Sequence, residues 1–358
     1  MKTINILTID NFFHDHCSYC FIYPILKNQK TFLENGIKFK LFQRLNDDFE
    51  NCDIAIVDSR FYGNLKQDEK KKFLEKIGLI QNKTNKIIFA DTADNAGQIK
   101  SEILPIFSEY WKGQILKDLE KYLEPHYGGR YFTNYYHKKF KIYDNDHQYS
   151  TPVKNKKLLK KIKISWNMGL VNYGNLSHIL QKIFSFIPSK FLLFDSVKLV
   201  KPQVERSNDF SCRIGFDYYR KTISFQRRKI VSMLENKINF SKISRKKYLN
   251  ELSISKFSIS PFGWGELCPR DFETFTKGAI LIKPNMSSFC TWPDWYIKDK
   301  TYIPIKWDLT DIIKIMENSF NNYALSKTIA VNAQEKYKKY ILGKHASELF
   351  VKHFVQLI

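Results

Sequence analysis

The residues best suited to chemistry lie between Lys256 and Pro284, which read KFSISPFGWGELCPRDFETFTKGAILIKP. This pattern predicts a strand, a glycine-containing loop, a helix and a second strand in succession. Gly263 and Gly265 allow a ligand to approach the loop backbone closely. Pro269 suits the first helical turn, where its missing N–H is not needed. Because a helix start attracts anions, the segment predicts a site for an anionic ligand.

The charged side chains of this helix add to the prediction. Arg270 can donate two parallel hydrogen bonds to a phosphate, and Asp271 complements the helix dipole. Glu273 follows Arg270 by three residues, so both lie on one helical face. The Glu273 carboxylate can accept hydrogen bonds from both hydroxyls of a ribose. Two other interpretations stay open, since Arg270 and Glu273 also fit a surface ion pair and this succession of elements is common.

The segment resembles the donor-binding segment of GT-B glycosyltransferases. In that family a strand and a glycine-containing loop precede a helix that carries a glutamate, with a glycine five residues on and an apolar strand after it. Glu273, Gly278 and the predicted strand Ala279–Ile282 follow that order. An arginine three residues before the glutamate is typical of exostosin-like and CgeB-like members. The resemblance implies a GT-B fold, with two Rossmann-like, doubly wound α/β domains facing a central cleft.

The resemblance covers Phe257–Leu309 and is faint over the first half of the chain. Within it, Ser260–Pro284, Thr291–Asp294 and Tyr302–Leu309 are similar to a bacterial group assigned to surface-polysaccharide synthesis. It implies transfer of a sugar from a nucleotide diphosphate to a hydroxyl of a glycan or lipid-linked acceptor. The commonest retaining pattern has its loop acid before the glycines, whereas Glu266 follows them here. The stereochemical outcome therefore stays open.

The resemblance also implies roles for individual residues. Glu273 would hold the ribose, Arg270 and the helix start the diphosphate, and Glu266 the sugar hydroxyls. A second basic cluster would supply Arg220 or Arg227 to the leaving diphosphate, with Arg228 as a solvated alternate. Side chains and a helix dipole then replace a metal ion, so no metal and no cofactor are expected. The implied nucleotide-sugar-binding residues are Gly263, Trp264, Gly265, Arg270, Asp271, Glu273, Arg220 and Arg227. A packing role for Trp264 remains an alternative.

The elements that must position a site alternate between strand and helix in the first half of the chain. Strands are predicted at Ile4–Ile9, Ile37–Phe42, Asp53–Asp58 and Lys86–Asp91, with a helix at Gln67–Ile77. This order indicates an open parallel sheet, in which ligands bind beyond the carboxyl ends of the strands. An inverting enzyme would need a base at these strand ends. The candidates are Asp10, His14, Asp15, His16, Asp91 and Asp94, although each also fits a helix cap or a packed polar residue. The predicted catalytic residues are Glu266 on the loop together with Asp10 and His14.

Further elements follow from local patterns. A helix is predicted at Tyr110–Tyr122 and an aromatic segment at His126–Lys141, which fits either sugar stacking or packing. Residues 144–163 are predicted to be loosely structured and include the metal-motif-like Asp144-Asn145-Asp146. In the second half, strands are predicted at Phe210–Phe216, Phe257–Ser260, Ala279–Ile282 and Thr301–Ile305. Helices are predicted at Thr222–Glu235, Lys246–Leu252, Asp271–Lys277, Leu309–Asn318 with Asp308 as N-cap, and Thr328–Ile358.

The chain of 358 residues suggests two domains, at about 150 residues each. We predict an acceptor-side domain over residues 1–204 and a nucleotide-sugar domain over residues 205–340. A C-terminal helix over residues 341–358 is expected to pack back on the first domain. Phe191–Phe194 and Val197–Val200 are expected to end the first domain.

Composition limits the partners and the compartment. Lys and Arg exceed Asp and Glu by 58 to 36, a net charge of +22, which favours an anionic partner. The six scattered cysteines fit reduced thiols, and Met1–Ile9 does not resemble a signal peptide. We therefore expect a cytoplasmic protein, with contact between the basic run Lys154–Lys163 and an anionic inner membrane as one interpretation. No nucleic acid is expected as a partner, although two alternatives remain open: a basic nucleic-acid-binding protein and an inactive GT-B-like nucleotide-binding protein.

Overall fold

The structure is a computed structural model that describes residues 1–81, 83–173 and 197–358. Two separate parallel sheets with intervening helices make this an α/β protein. The alternation of apolar strands and amphipathic helices in the sequence predicts this class, and the prediction is confirmed. The expected end of the first domain at Phe191–Phe194 lies outside the described residues.

The first sheet is built from the first half of the chain. Its strands are β1 (Lys2–Leu7), β2 (Ile37–Phe42), β3 (Ile54–Asp58), β4 (Lys86–Asp91), β5 (Glu109–Lys112) and β7 (Ile162–Ile164). Strand β6 (Gln114–Leu116) lies between β5 and β7 in the sequence but does not belong to this sheet. Within the described residues the strand order of the sheet is β2-β1-β3-β4-β5-β7, and every pair is parallel. The carboxyl ends of these strands therefore meet at one edge of the sheet.

Helices connect these strands, and two of them begin at an aspartate cap. The helices are α1 (His16–Lys27), α2 (Gln29–Glu34), α3 (Asp47–Glu50), α4 (Ser59–Asn64), α5 (Gln67–Ile80) and α6 (Tyr131–Phe140). The Asp15 carboxylate accepts the backbone N–H groups of Cys17 and Ser18, both at 2.9 Å. Asp58 accepts the N–H of Arg60 at 3.0 Å. Both aspartates thus start helices at the strand-end edge of the sheet.

The second sheet comes from the second half of the chain. Its strands are β8 (Asn208–Ser211), β9 (Ser255–Ile259), β10 (Ile280–Pro284) and β12 (Ile303–Ile305). Strand β11 (Phe289–Thr291) lies between β10 and β12 in the sequence but does not belong to this sheet. The strand order of the sheet is β12-β10-β9-β8, again parallel throughout. The helices are α7 (Lys221–Leu234), α8 (Arg245–Ile254), α9 (Pro269–Lys277) and α10 (Ile312–Asn321).

Two features tie the halves together. Strands β6 and β11 form a small antiparallel pair, with Ile115 opposite Cys290. Helices α11 (Tyr323–Ile341) and α12 (Gly343–Leu357) then return the chain to the first half. The Phe354 ring of α12 contacts Phe32 and Trp111 at centroid distances of 5.1 and 5.7 Å. The domain limits 1–204, 205–340 and 341–358 stay a prediction, although the strands of the two sheets lie within residues 2–164 and 208–305.

The buried side chains of the described residues form two clusters. The larger one covers the first sheet and continues across to the second half, where Phe132 lies 5.0 Å from Phe262. The smaller one lies within the second half and includes Ile230, Phe257 and Leu309. The halves therefore meet over an apolar surface. Within the described residues, no helix combines the length and the apolar character needed to cross a membrane.

The helix predicted at Tyr110–Tyr122 is wrong. Residues Glu109–Lys112 form β5, Gln114–Leu116 form β6, and Leu119–Leu123 form a short 3₁₀ helix. A strand buried on both faces shows no apolar–polar alternation, so short runs of this kind mimic helices in sequence. At Gly113 the backbone also approaches the next layer, because a Cβ atom there would lie 2.6 Å from the Trp166 carbonyl oxygen.

Other local predictions need correction. Asp311 rather than Asp308 precedes α10, and Asp308 pairs with Lys139 at 2.5 Å. The strand predicted at Phe210–Phe216 ends at Ser211 as β8. The basic run ending at Lys163 forms a 3₁₀ helix at residues 156–161 and then enters β7.

The segment around Asp144 is also more ordered than predicted. Asp144 is buried and accepts the Thr222 backbone N–H at 2.9 Å, at the start of α7. Asp146 pairs with Arg220 at 2.5 Å. These aspartates anchor the second half to the first, a contact between distant residues that local sequence does not reveal.

Candidate functional site

A cleft of about 890 Å³ lies between the two halves. His16, Cys17, Asp94 and Met168 line it from the first half. From the second half it is lined by the ends of β8 and β9, the glycine loop, and the starts of α8 and α9. The resemblance in sequence implies a GT-B fold, in which two parallel sheets with their helices lie on opposite sides of a cleft. The structure has this arrangement, and the predicted fold is confirmed.

The glycine loop fits between the halves with little spare room. A Cβ atom at Gly265 would lie 1.6 Å from the Asp94 carbonyl oxygen, so only glycine fits there. A Cβ atom at Gly263 would lie 3.1 Å from Nη2 of Arg227. The Trp264 ring is half-buried, lines the cleft and lies under the Arg130 guanidinium at 5.3 Å. The loop is thus shaped by the facing domain as well as by its own strand.

Helix α9 is anchored by Asp271 and points its first turn at the cleft. Asp271 is fully buried and accepts hydrogen bonds from Ser260 Oγ at 2.5 Å and Tyr296 Oη at 2.6 Å. Its second oxygen lies 3.0 Å from Nζ of Lys283, which is equally buried. Gly278 ends the helix at φ +66°, a left-handed conformation that favours glycine. Asp271, predicted to bind the nucleotide sugar, therefore does not line the cleft and instead fixes the helix.

Arg270 and Glu273, whose spacing predicts a shared helical face, both line the cleft. Arg270 donates to the Arg213 carbonyl oxygen at 3.0 Å and to Ser260 Oγ at 3.4 Å. The Glu273 carboxylate is almost fully buried and pairs with Nη1 of Arg245 at 2.5 Å. The ion pair of Glu273 is therefore with Arg245 on another helix, so the alternative of a surface ion pair between Arg270 and Glu273 is wrong.

Arg227 and Arg220, the two favoured partners for a diphosphate, lie in different places. Arg227 lines the cleft and donates to the carbonyl oxygens of Phe262 and Gly215, both at 2.7 Å. Burial, followed by the neighbouring Arg270, lowers its pKa. Arg220 does not line the cleft, because it donates to the Gly128 carbonyl oxygen and pairs with Asp146. The alternate Arg228 is exposed and pairs with Asp217.

Glu266 is buried at the contact between the halves. None of its surface is exposed, and its Oε2 accepts the Ala96 backbone N–H at 2.8 Å. Burial raises the pKa of this carboxyl to about 7. Its Oε1 has no hydrogen-bond partner among the described residues. Glu266 thus touches the facing domain and not the open cleft.

The strand-end candidates in the first half also separate. Asp10 and His14 are exposed and do not line the cleft. His16 and Asp94 do line it. Asp91 is buried, and although burial opposes the effect, Lys112 at 2.5 Å lowers its pKa. Among the candidate bases on this side, His16 and Asp94 alone face the cleft.

Arg245 also lines the cleft, although no sequence pattern singles it out. It occupies the first turn of α8, directly after the N-cap Ser244, whose hydroxyl accepts the Lys247 N–H. Its Nε and Nη2 have no hydrogen-bond partner within the described part of the chain. The cap pattern predicts a helix start, but the direction of the arginine depends on the packing of α8 against α9. Within residues 1–81, 83–173 and 197–358, no group of three His, Cys, Asp or Glu side chains could hold a metal ion.

Several solved structures are weakly similar to this chain. HepE from Anabaena in complex with UDP is 8% identical, with 99% of each chain covered and a TM-score of 0.47. A glycosyltransferase from Rickettsia africae is 10% identical over 99% of this chain and 98% of its own, at a TM-score of 0.44. TarM is 10% identical over 85% of this chain and 54% of its own, at 0.43. No protein-family profile and no curated protein sequence matches, so the function has to be inferred from the site.

Proposed function

We propose that this chain is a glycosyltransferase that moves a sugar from a nucleotide diphosphate to an acceptor hydroxyl. The observation that carries the proposal is a pair of uncompensated arginines in the cleft. Arg227 and Arg270 are held by carbonyl and hydroxyl oxygens, and neither forms an ion pair with a carboxylate among the described residues. Two adjacent buried cations without a counter-ion favour a doubly charged ligand such as a diphosphate.

The location of these arginines supports a nucleotide. Arg270 lies in the first turn of α9, where the positive end of the helix dipole adds to its charge. The cleft lies beyond the carboxyl ends of β8 and β9, where ligands bind in open parallel sheets. Charge accumulates on the leaving diphosphate during transfer, so fixed cations at this place would lower the barrier. We therefore place the diphosphate between Arg227 and Arg270.

Glu273 is proposed to hold the ribose hydroxyls. It lies one helical turn from Arg270 on the same cleft wall, and Arg245 keeps its carboxylate oriented. The two Arg245 nitrogens without partners are further donors for the nucleotide. The ribose and the phosphates belong to one nucleotide. The carboxylate that accepts the ribose hydroxyls and the cation that holds a phosphate must therefore be close neighbours, as Glu273 and Arg270 are.

The acceptor is proposed to bind on the first-sheet side. His16 and Asp94 face the second half across the cleft, and either could remove the acceptor proton if the enzyme inverts. Side chains and the helix dipole are proposed to neutralise the diphosphate without a metal ion. A glycan or lipid-linked acceptor of bacterial surface-polysaccharide synthesis, on the cytoplasmic face of the inner membrane, is the finer proposal. The resemblance of Ser260–Pro284 to that group and the net charge of +22 support it.

Nucleotide binding tests the proposal directly. We would measure thermal stabilisation by UDP, GDP, ADP, CMP and their sugar derivatives, with and without EDTA. A bound nucleotide at about 100 times its dissociation constant stabilises a protein by about 2.7 kcal/mol. We expect one nucleotide to do so in EDTA, and Glu273→Gln to lose most of the effect by removing the ribose acceptor. Transfer is then followed as nucleotide released from the preferred nucleotide sugar.

The control is Glu335→Gln, an exposed change in an i,i+3 pair with Lys338 that should leave binding intact. Absence of stabilisation by every nucleotide would contradict the proposal. So would equal binding by the wild type and Glu273→Gln. Binding without nucleotide release from any nucleotide sugar would favour the inactive nucleotide-binding alternative.

A further inference from the structure

A second groove of about 680 Å³ lies between the halves and shares no lining residue with the cleft. One wall is a face of helix α6. The other wall is formed by the residues that follow β10 and β12, at the carboxyl edge of the second sheet. Arg130, directly before α6, donates to the carbonyl oxygen of the cleft residue Trp264. Helix α6 therefore begins beside the cleft, and one of its faces lines this groove over the helix length of about 15 Å.

Three half-buried aromatic rings line the groove. Tyr131 and Tyr135 lie edge-on to Trp307, with ring centroids at 5.8 and 5.4 Å. Trp307 is fixed in place, because its Nε1 donates to the Asn285 carbonyl oxygen at 2.8 Å and its ring stacks on Phe289. Rigid aromatic rings bind apolar ligand faces at a small loss of side-chain entropy. The apolar face of a sugar ring fits such a surface.

The charges around the rings are mixed, with positive charge in excess. Lysines 121, 138, 139 and 306 line the groove together with Glu124 and Asp308. Lys139 is paired with Asp308, and Lys121 lies 3.7 Å from Glu124. Lys138 and Lys306 are exposed and form no ion pair within the described part of the chain. Two lysines are thus free to bind anionic groups on a ligand.

We propose that this groove binds an anionic glycan, with sugar rings against Tyr135 and Trp307. Carboxylate or phosphate groups of the glycan bind Lys138 and Lys306. Ser287 and Ser288 also line the groove and offer hydroxyl partners for sugar hydroxyls. A glycan is favoured over a nucleic acid, because the hydroxyls of Ser287 and Ser288 can bond to the several hydroxyl groups that each sugar ring presents. The idea that this glycan is part of the acceptor rests on the proposed function. The binding of the glycan to the groove does not depend on that function.

Binding measured by calorimetry tests the groove independently of catalysis. The probes are a hexamer of galacturonic acid, neutral maltohexaose and a single-stranded oligothymidylate. The double variant Lys138→Glu with Lys306→Glu should weaken galacturonate binding about tenfold or more, since two ion pairs become repulsive. The matched control is Lys71→Glu with Lys352→Glu, two exposed lysines on α5 and α12 with no described ion pair. This control carries the same charge change and should bind as the wild type does.

A second variant tests the aromatic surface. Tyr135→Ala should weaken binding of the galacturonate hexamer while nucleotide stabilisation at the cleft is unchanged. No binding of the hexamer by the wild type overturns the proposal, as does equal weakening in the groove and control double variants. Tighter binding of oligothymidylate through the same two lysines overturns it in favour of a nucleic-acid site. Failure of nucleotide binding with intact glycan binding would contradict the proposed function alone.

Discussion

The buried carboxyl of Glu266 makes the stability of this protein depend on pH in an unusual direction. The side chain has no exposed surface, and the Ala96 N–H is the one hydrogen-bond donor to it from the facing domain among the described contacts. Burial raises its pKa from 4.5 to about 7, because the ionised form loses its hydration. We predict that Glu266→Gln is more stable than the wild type above pH 7. Glutamine keeps an oxygen for Ala96 and cannot ionise.

The sign follows from proton binding in the two states. Between pH 4.5 and about 7 the folded protein keeps a proton that the unfolded chain has released. The unfolding free energy of the wild type therefore falls as the pH rises through this range, and the contribution of this group is constant above it. A pKa difference of about 2.5 corresponds to about 3 kcal/mol. The variant should gain about that amount at pH 8 and nothing at pH 4.

Urea unfolding of both proteins at pH 4, 6 and 8 measures the difference. Contributions of all other titrating groups cancel between wild type and variant. Glu75→Gln, an exposed change on α5 with no described ion pair, is the control and should differ from the wild type nearly equally at each pH. A stability difference between Glu266→Gln and the wild type that does not grow with pH would refute the reasoning, since the carboxyl would then be ionised at low pH like an exposed one.

Two further predictions concern the contact between the halves and the anchor of α9. Gly265→Ala should lower the unfolding free energy by about 3 kcal/mol or more, because its Cβ atom would overlap the Asp94 carbonyl group, whereas Gly63→Ala has open space and should change it little. Urea unfolding checks both, and equal effects would contradict the packing argument. Lys283→Met should lower the unfolding free energy by about 3–5 kcal/mol, because Asp271 is left as a buried, unpaired charge. Adding Asp271→Asn should recover part of this loss, and strictly additive losses would argue against the pair.

Much of the fold could be predicted from local sequence. The apolar run predicts strand β4 at Lys86–Asp91, where it is found, and Pro269 and Gly278 predict the start and the end of helix α9. Caps, turn glycines and apolar periodicity act over a few residues, so they can be detected without tertiary structure. The helix wrongly predicted at Tyr110–Tyr122 shows the limit. Its residues are buried by neighbouring strands on both sides, which removes the pattern that marks a strand.

The candidate site divides in the same way. Arg270 and Glu273 were found from their spacing on one helix, because that geometry is fixed by the helix itself. The partner of Glu273 is Arg245, which belongs to another helix 28 residues earlier. The sequence does not distinguish Arg220 from Arg227 as the partner of a diphosphate. In the structure Arg220 is paired with Asp146 of the first half, whereas Arg227 lines the cleft. Local sequence patterns were enough to select the segment that lines the cleft. Tertiary packing alone decided which side chains reach the cleft, because the direction of each depends on contacts with distant residues.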